Sequence, residues 1–347
     1  MTAVTVVVPT VGRPSLRHLL DDLRTGQPGD TEVIVVDDRP VPDEPLDLPA
    51  GVLPLTAAGR GPAAARNVGW QGAAGAWVVF LDDDVRLAPG WWDALRRDLD
   101  APAGVGGVQG RVTVPLPPGG PRTDWERVTA ALADAQWITA DMAYRRVVLA
   151  AVGGFDVRFP RAYREDAELA HRVRAAGWSL ARGTRAVRHP VRPESPWVSL
   201  RSQRGNADDA LLRRLYGPRW RATLDIPPGR RRRHAAVTAA GLLAAAAAAA
   251  RAPRAVTVGA ALAWLAGTAE FTAARLAGGR ADAREVLRMA ATSALIPPLA
   301  VAHWLVGWVR HAGARPLTAS AGPATASLTA PPAADAAPVP TGSGTGA

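Results

Sequence analysis

Trp77-Val78-Val79-Phe80-Leu81-Asp82-Asp83-Asp84 is the stretch whose reading decides the fold. Five apolar residues run without a break into three acids. An unbroken apolar run predicts a strand buried on both faces, as in a parallel sheet. Open α/β sheets bind ligands beyond the carboxyl ends of their strands, which is where the acids fall. Carboxylates this close repel one another unless a cation or a cluster of arginines sits among them. A hard divalent metal, Mg²⁺ or Mn²⁺, carrying a substrate diphosphate suits them best. A plain acidic loop after a strand fits the same residues, because clustered carboxylates mark functional sites only statistically.

Upstream, Val4–Val8 predicts a first strand that stops at Pro9, with Thr10, Val11, Gly12, Arg13 and Pro14 as a loop. Ser15 suits the N-cap of a helix with Leu16, Leu19, Leu20 and Leu23 on one face. Glu32–Val36 predicts a second strand, ended by Asp37 and Asp38. The result is a βαβ unit with parallel pairing. An acid at that position can hold a ribose or a base, or serve as a turn aspartate. Val52–Leu55 predicts a short third strand, and Gly61-Pro62 opens a helix running to Gly75. Its N-terminal N–H groups would point at the site. Arg66 and Asn67 lie one turn in, where local grounds favour a solvated face.

Downstream, Trp91, Leu95 and Leu99 share a helix face, and Val105–Val114 predicts a strand. Gly153-Gly154 predicts a sharp turn at positive φ. On the next helix Asp166, Leu169 and Val173 share the inward stripe, which turns Glu168 elsewhere. Taken alone, Glu165 and Asp166 could simply favour the helix dipole.

In order, these features resemble the nucleotide-binding half of a family 2 glycosyltransferase with the GT-A fold. Val4–Pro9, Val33–Asp38, Arg66-Asn67 and Phe80–Asp84 carry the first part of the likeness. Thr139–Arg146 resembles that family's acceptor-side strand, and Val152–Asp156 its Gly-Gly-Phe-Asp turn. Glu165–Leu169 with Arg172–Trp178 resembles its Glu-Asp helix, and His189 stands where many members carry a histidine. The likeness spans residues 4–216. It implies an α/β catalytic domain, a Rossmann-like mixed sheet flanked by helices, over residues 1–225. It also implies inverting transfer of a sugar from a nucleotide-diphosphate donor to an acceptor hydroxyl. Pro9, Thr10, Arg13, Asp37, Asp38, Arg66, Asn67, Asp82, Asp83, Asp141 and Arg204 are the donor-side residues it implies. Asp84 and His189 are the implied ligands of Mn²⁺ or Mg²⁺, and Asp166 the implied base beside Glu165. Gln203–Asn206 lacks the Gln-x-x-Arg-Trp pattern of processive synthases, which favours single addition.

Composition sets the wider frame. The chain has 347 residues, 48% of them hydrophobic, enough for one large domain or two. The absence of cysteine excludes disulfides, thiolate zinc sites and a cysteine nucleophile. The net charge is +10, and every basic residue is Arg. With abundant Ala, Gly and Pro this suggests GC-rich coding, so part of the excess is not functional. No cationic apolar leader opens the chain, so the N-terminal region is expected in the cytosol.

Pro227–Arg233 predicts a boundary, set as a linker over residues 226–234. Beyond it, Ala235–Ala250 and Ala255–Ala269 are uncharged but short of the roughly 20 residues a spanning helix needs. Met289–Val309 is long enough but interrupted by Pro297-Pro298. Residues 235–310 therefore predict an apolar helical unit on the cytoplasmic face of a membrane, its Arg run against anionic headgroups, beside a lipid-linked or cell-envelope glycan. A soluble helical appendage is the competing reading. Residues 311–347 predict a disordered tail. Two rival functions remain. A GT-A-like nucleotidyltransferase needs a Gly-rich loop after the first strand, and Pro9–Arg13 is too poor in glycine. A non-catalytic module acting through the C-terminal region, or a basic nucleic-acid binder, needs Arg interleaved with aromatics. The run Arg230–Arg233 has no aromatic neighbours in sequence, so nucleic acid is not expected as a partner.

Overall fold

The computed structural model describes residues 4–42, 44–116 and 119–317. Its first part comprises β1 (Val4–Thr10), α1 (Ser15–Arg24), β2 (Thr31–Asp37), β3 (Val52–Thr56), α2 (Pro62–Gly72) and β4 (Trp77–Leu81). Then come β5 (Arg86–Leu87), α3 (Trp91–Leu99), β6 (Val105–Thr113), α4 (Asp124–Ala130), β7 (Asp141–Arg145) and α5 (Arg146–Val152). They are followed by α6 (Glu165–Ala175), β8 (Ser179–Arg188), α7 (Val198–Arg201), α8 (Asn206–Tyr216) and α9 (Trp220–Thr223). Three long helices close the described chain: α10 (Arg231–Ala249), α11 (Arg254–Leu276) and α12 (Ala283–Arg310).

The strands form one mixed sheet in the order β3-β2-β1-β4-β7-β6-β8-β5. The first four are mutually parallel, and β7 runs against both its neighbours. All of β4 is buried, as the apolar run requires of a central strand. Residue alternation splits the core in two. Val6, Val8, Val33, Val35 and Val79 face the leucines of α1 and Trp91 and Leu95 of α3. Val7, Ile34, Val36, Val78 and Phe80 face α2, α5 and α6 on the other side. The crossovers thus leave the ends of β1, β2 and β4 side by side, which is where ligands bind in such sheets.

Two local expectations shift. The first strand does not stop at Pro9 but runs through it to Thr10. Thr10 turns its carbonyl to Asp38 N on the β2 side at 2.8 Å. Pro9 therefore faces β4, where pairing has already ended at Val7 and Phe80, and its missing N–H leaves no gap. Helix α2 ends at Gly72, short of Gly75.

The C-terminal unit departs further. Residues 231–234, expected as linker, form the first turn of α10. Helix α12 runs unbroken through Pro297 and Pro298. Helices α11 and α12 are both long and apolar enough to cross a membrane, with 6% and 33% of their most apolar windows buried. The Arg run is exposed over Arg231–Arg233, yet three of its four members have partners within the unit. Helices α10 and α11 lie antiparallel, which sets Arg230 and Arg233 on Glu270. Arg230 also stacks on Phe271 and Arg231 on Trp304, at 5.0 and 4.3 Å from the ring centroids. The aromatics missing nearby in sequence are supplied by the fold.

This unit is joined to the sheet domain. Gly307 of α12 lies so close to α8 that a Cβ there would meet Ala207 Cα at 2.5 Å. Arg214 lies 3.3 Å from the Trp308 ring centroid, and Arg275 of α11 pairs with Asp124 at 2.6 Å. Residues 311–317 of the expected tail turn back onto the protein, where Arg158 Nη1 donates to the Arg315 carbonyl at 2.9 Å. Residues 318–347 lie outside the described residues.

Candidate active site

The acids after β4 separate into two groups. Asp83 is buried and structural: Thr10 Oγ1 donates to it at 2.6 Å and Arg13 Nη1 at 2.7 Å. Thr10 and Arg13, expected on the donor side, thus brace the first loop against the acidic turn. Asp82 and Asp84 converge with His189 from the end of β8, their ligand atoms all within 4.8 Å of one another. His189 Nε2 lies 3.5 Å from Asp84 Oδ1, and Arg192 Nε 3.0 Å from Asp84 Oδ2. Burial, then the charge of Asp82, pushes the Asp84 carboxyl up, against the pull of His189 and Arg192. Two carboxylates and an imidazole, with no thiolate, make a donor set fit for Mn²⁺ or Mg²⁺.

Across the site stands the start of α6. Arg164, just before it, holds a left-handed backbone, φ 79°, unusual for a residue with a side chain. Arg164 Nε donates to Asp209 Oδ1 at 3.0 Å and its Nη2 to Tyr163 Oη at 2.8 Å, which keep it there. Glu165 is 2% exposed, and Asp166 is half-buried. Arg66 is no solvated arginine: it is 2% exposed and ties the two halves together. Its Nη1 donates to Glu165 Oε1 at 2.8 Å and its Nη2 to Asp82 Oδ1 at 2.9 Å. Burial and the neighbouring Asp166 push Glu165 up to about 8, and its Oε2 is buried with no partner. Burial also raises Asp166.

Beside these, Asp38 Oδ2 accepts from Gly61 N at 3.0 Å, while its Oδ1 is buried without a partner. Asp37 is gripped by Arg39, Nη2 to Oδ2 at 2.6 Å, which holds its carboxyl below the usual range.

Other expected residues serve the frame. Asn67 Nδ2 donates to the Phe155 carbonyl and its Oδ1 accepts from Phe155 N, both at 2.8 Å. Its side chain is spent on the Gly153-Gly154 turn, both of whose glycines have positive φ as expected. Asp141 is fully buried, accepting from Arg185 Nε at 2.7 Å and Trp91 Nε1 at 2.9 Å. It faces away from the acidic cluster into a structural ion pair. Arg204 is exposed on the turn Ser202–Gly205 against α12. Glu168 does not face away: it is fully buried, accepting from Arg172 and, at 2.7 Å, from Tyr216 Oη. The stripe argument missed this because Arg172, one turn on, neutralises it and donates to the carbonyls of Val152 and Gly154. Arg192 and Arg185 were not singled out by the sequence; the spacing of Arg192, three beyond His189, was its one local signal.

A parallel nucleotide-binding half, an antiparallel extension and acids at the end of β4 facing a carboxylate pair define the GT-A class of transferase fold. The model of the family "Glycosyl transferase family 2" matches residues 5–166. No curated protein matches the chain. Solved structures it is similar to include the mannosyltransferase PcManGT from Pyrobaculum calidifontis, in complex with GDP-Man and Mn²⁺. It is 18% identical, covers 90% of this chain and 87% of its own, and has a TM-score of 0.47. Glucosyl-3-phosphoglycerate synthase from Mycobacterium tuberculosis, with Mn²⁺, UDP-glucose and phosphoglyceric acid, is 17% identical. It covers 66% of this chain and 81% of its own, at a TM-score of 0.44. GalNAc-T7, solved with UDP, GalNAc and Mn²⁺, is 17% identical, covers 65% and 55%, and has a TM-score of 0.46.

Proposed function

We propose that the chain is an inverting glycosyltransferase moving a sugar from a nucleotide-diphosphate donor to an acceptor hydroxyl on a lipid-linked or cell-envelope glycan. The observation that carries this reading is the convergence of Asp82, Asp84 and His189 opposite Glu165 and Asp166, with Arg66 between them. Asp84 and His189, with Asp82 beside them, would hold Mn²⁺ or Mg²⁺. When bound, that cation supplies Lewis-acid neutralisation of the leaving diphosphate. Asp38, with one buried oxygen unpartnered, accepts a hydroxyl of the donor nucleoside. Glu165 acts by position: with Asp82 it fixes the guanidinium of Arg66, whose charge lies beside the donor. Asp166 is open enough to reach an acceptor, and its raised affinity for protons suits it to take one from the attacking hydroxyl. Attack from the side opposite the diphosphate inverts the anomeric centre. The exposed apolar residues of α10–α12 support the reading that the acceptor lies at a membrane surface on the cytoplasmic side.

A thermal-shift panel of nucleoside diphosphates and nucleotide sugars, each with and without Mn²⁺, tests the donor half. One nucleotide should stabilise the protein only with metal, and Asp84→Ala should lose that shift. Folded protein indifferent to every nucleotide would overturn the reading and leave a non-catalytic GT-A module.

A further inference from the structure

Arg192 lies three residues past His189 on the segment 190–196, which carries Pro190, Pro193 and Pro196 and no regular secondary structure. Its backbone is pinned, since Trp125 Nε1 of α4 donates to its carbonyl at 3.0 Å. Its side chain is 37% exposed and reaches Asp84 Oδ2 at 3.0 Å. The other oxygen of that carboxylate faces His189. Beside the segment opens a cavity of about 460 Å³ lined by Trp125, Arg192, Ser199, Arg288 and Met289 among others. The Ser199 hydroxyl is buried there without a partner. The side chain therefore has a fixed root and room to turn.

A guanidinium keeps its charge at any pH a protein tolerates. A divalent cation on Asp84 Oδ1 would stand close to the guanidinium on Oδ2, and the two positive charges repel across the one carboxylate. The diphosphate that arrives with the metal offers oxygens that a planar guanidinium fork matches. We propose that Arg192 is a movable counter-ion that touches the substrate. It neutralises Asp84 when no cation is bound, yields that carboxylate to the metal, and swings about its pinned backbone onto the leaving diphosphate. The inference rests on the metal-dependent donor reading above. It adds a consequence: metal alone binds against competition, and metal with nucleotide binds cooperatively.

The test is Mn²⁺ binding to the full chain, read from the EPR signal of free Mn²⁺, alone and with UDP or GDP. Arg192→Met should bind Mn²⁺ alone roughly fivefold more tightly, because a half-exposed ion pair no longer competes. The same variant should lose roughly tenfold of the enhancement that the nucleoside diphosphate gives, because a charge-assisted contact is gone. Arg192→Lys, which keeps the charge but not the fork, should fall between. Unchanged or weaker Mn²⁺ binding in Arg192→Met, with wild type binding normally, would overturn the exchange and leave the metal reading intact. No Mn²⁺ binding by wild type or variant would bring down the metal reading and this inference together. Circular dichroism checks folding, and Arg192→Gln carries the same test if the Met variant does not fold.

Discussion

Glu165 and Asp166 are neighbours in sequence with different surroundings, and the difference divides their work. Glu165 is sealed against Arg66, while Asp166 keeps an open side. Asp166→Asn should therefore abolish turnover while leaving the metal-dependent donor shift nearly intact. Loss of both together, in folded protein, would remove it as the base. Its raised carboxyl also predicts an acid limb of kcat/KM above the ordinary aspartate range. Glu165 makes a separate prediction about stability. It keeps its proton to about pH 8 when folded, against 4.5 for an ordinary glutamate, so folding takes up a proton between those values. Stability should fall as pH rises through that window, because burial and Asp166 outweigh the pull of Arg66 on this carboxyl. Urea midpoints across the window should show a shallower fall in Glu165→Gln, and identical slopes would refute the assignment.

At the scale of elements, the site is held by a few side chains that spend themselves on backbone. Asn67 of α2 closes both hydrogen bonds of Phe155 and fixes the turn that leads to α6. Asn67→Ala leaves those buried groups unpaired and should cost about 2–3 kcal/mol in urea unfolding. A loss under about 0.5 kcal/mol would show that water replaces the amide. Here the limits of sequence reading are concrete. The apolar runs of Val4–Val8 and β4 and the helical spacing of the leucines of α1 made the sheet legible, because each matches the burial its element needs. For the metal, the family resemblance pointed to Asp84 and His189, with Asp82 expected on the donor side; the fold brings all three together. The role of each polar residue was not. Asn67, Asp83, Asp141 and Glu168 are all buried among partners from distant elements, and whether a carboxylate faces a ligand or an arginine depends on that partner. Arg66 went astray in the opposite sense: a helix surface that reads as solvated is covered by α6.

For the whole molecule, the question is how the C-terminal helices serve the sheet domain. Leu242, Leu243, Leu262, Leu265, Leu305 and Val309 stand exposed on them, while Arg230 and Arg233 are already paired with Glu270 and Arg231 stacks on Trp304, at the exposed surface of the unit. Membrane attachment should therefore rest on apolar contact. The protein should float with neutral phosphatidylcholine vesicles and stay with them at about 0.5 M salt, where surface charge attraction is screened. Flotation only on anionic vesicles at low salt would return the attachment to the arginines. The close seat of Gly307 on Ala207 has a further result. The next residues of α8, Asp208 and Asp209, hold Arg161 and Arg164, and Arg164 directly precedes Glu165 and Asp166. Were α11 and α12 set in a bilayer, as proposed above, this series of contacts would work as a depth gauge. On the proposed function, the height of Asp166 above the lipid would then be set by the protein, and acceptors would be sorted by how far their hydroxyl stands off the membrane as well as by their shape.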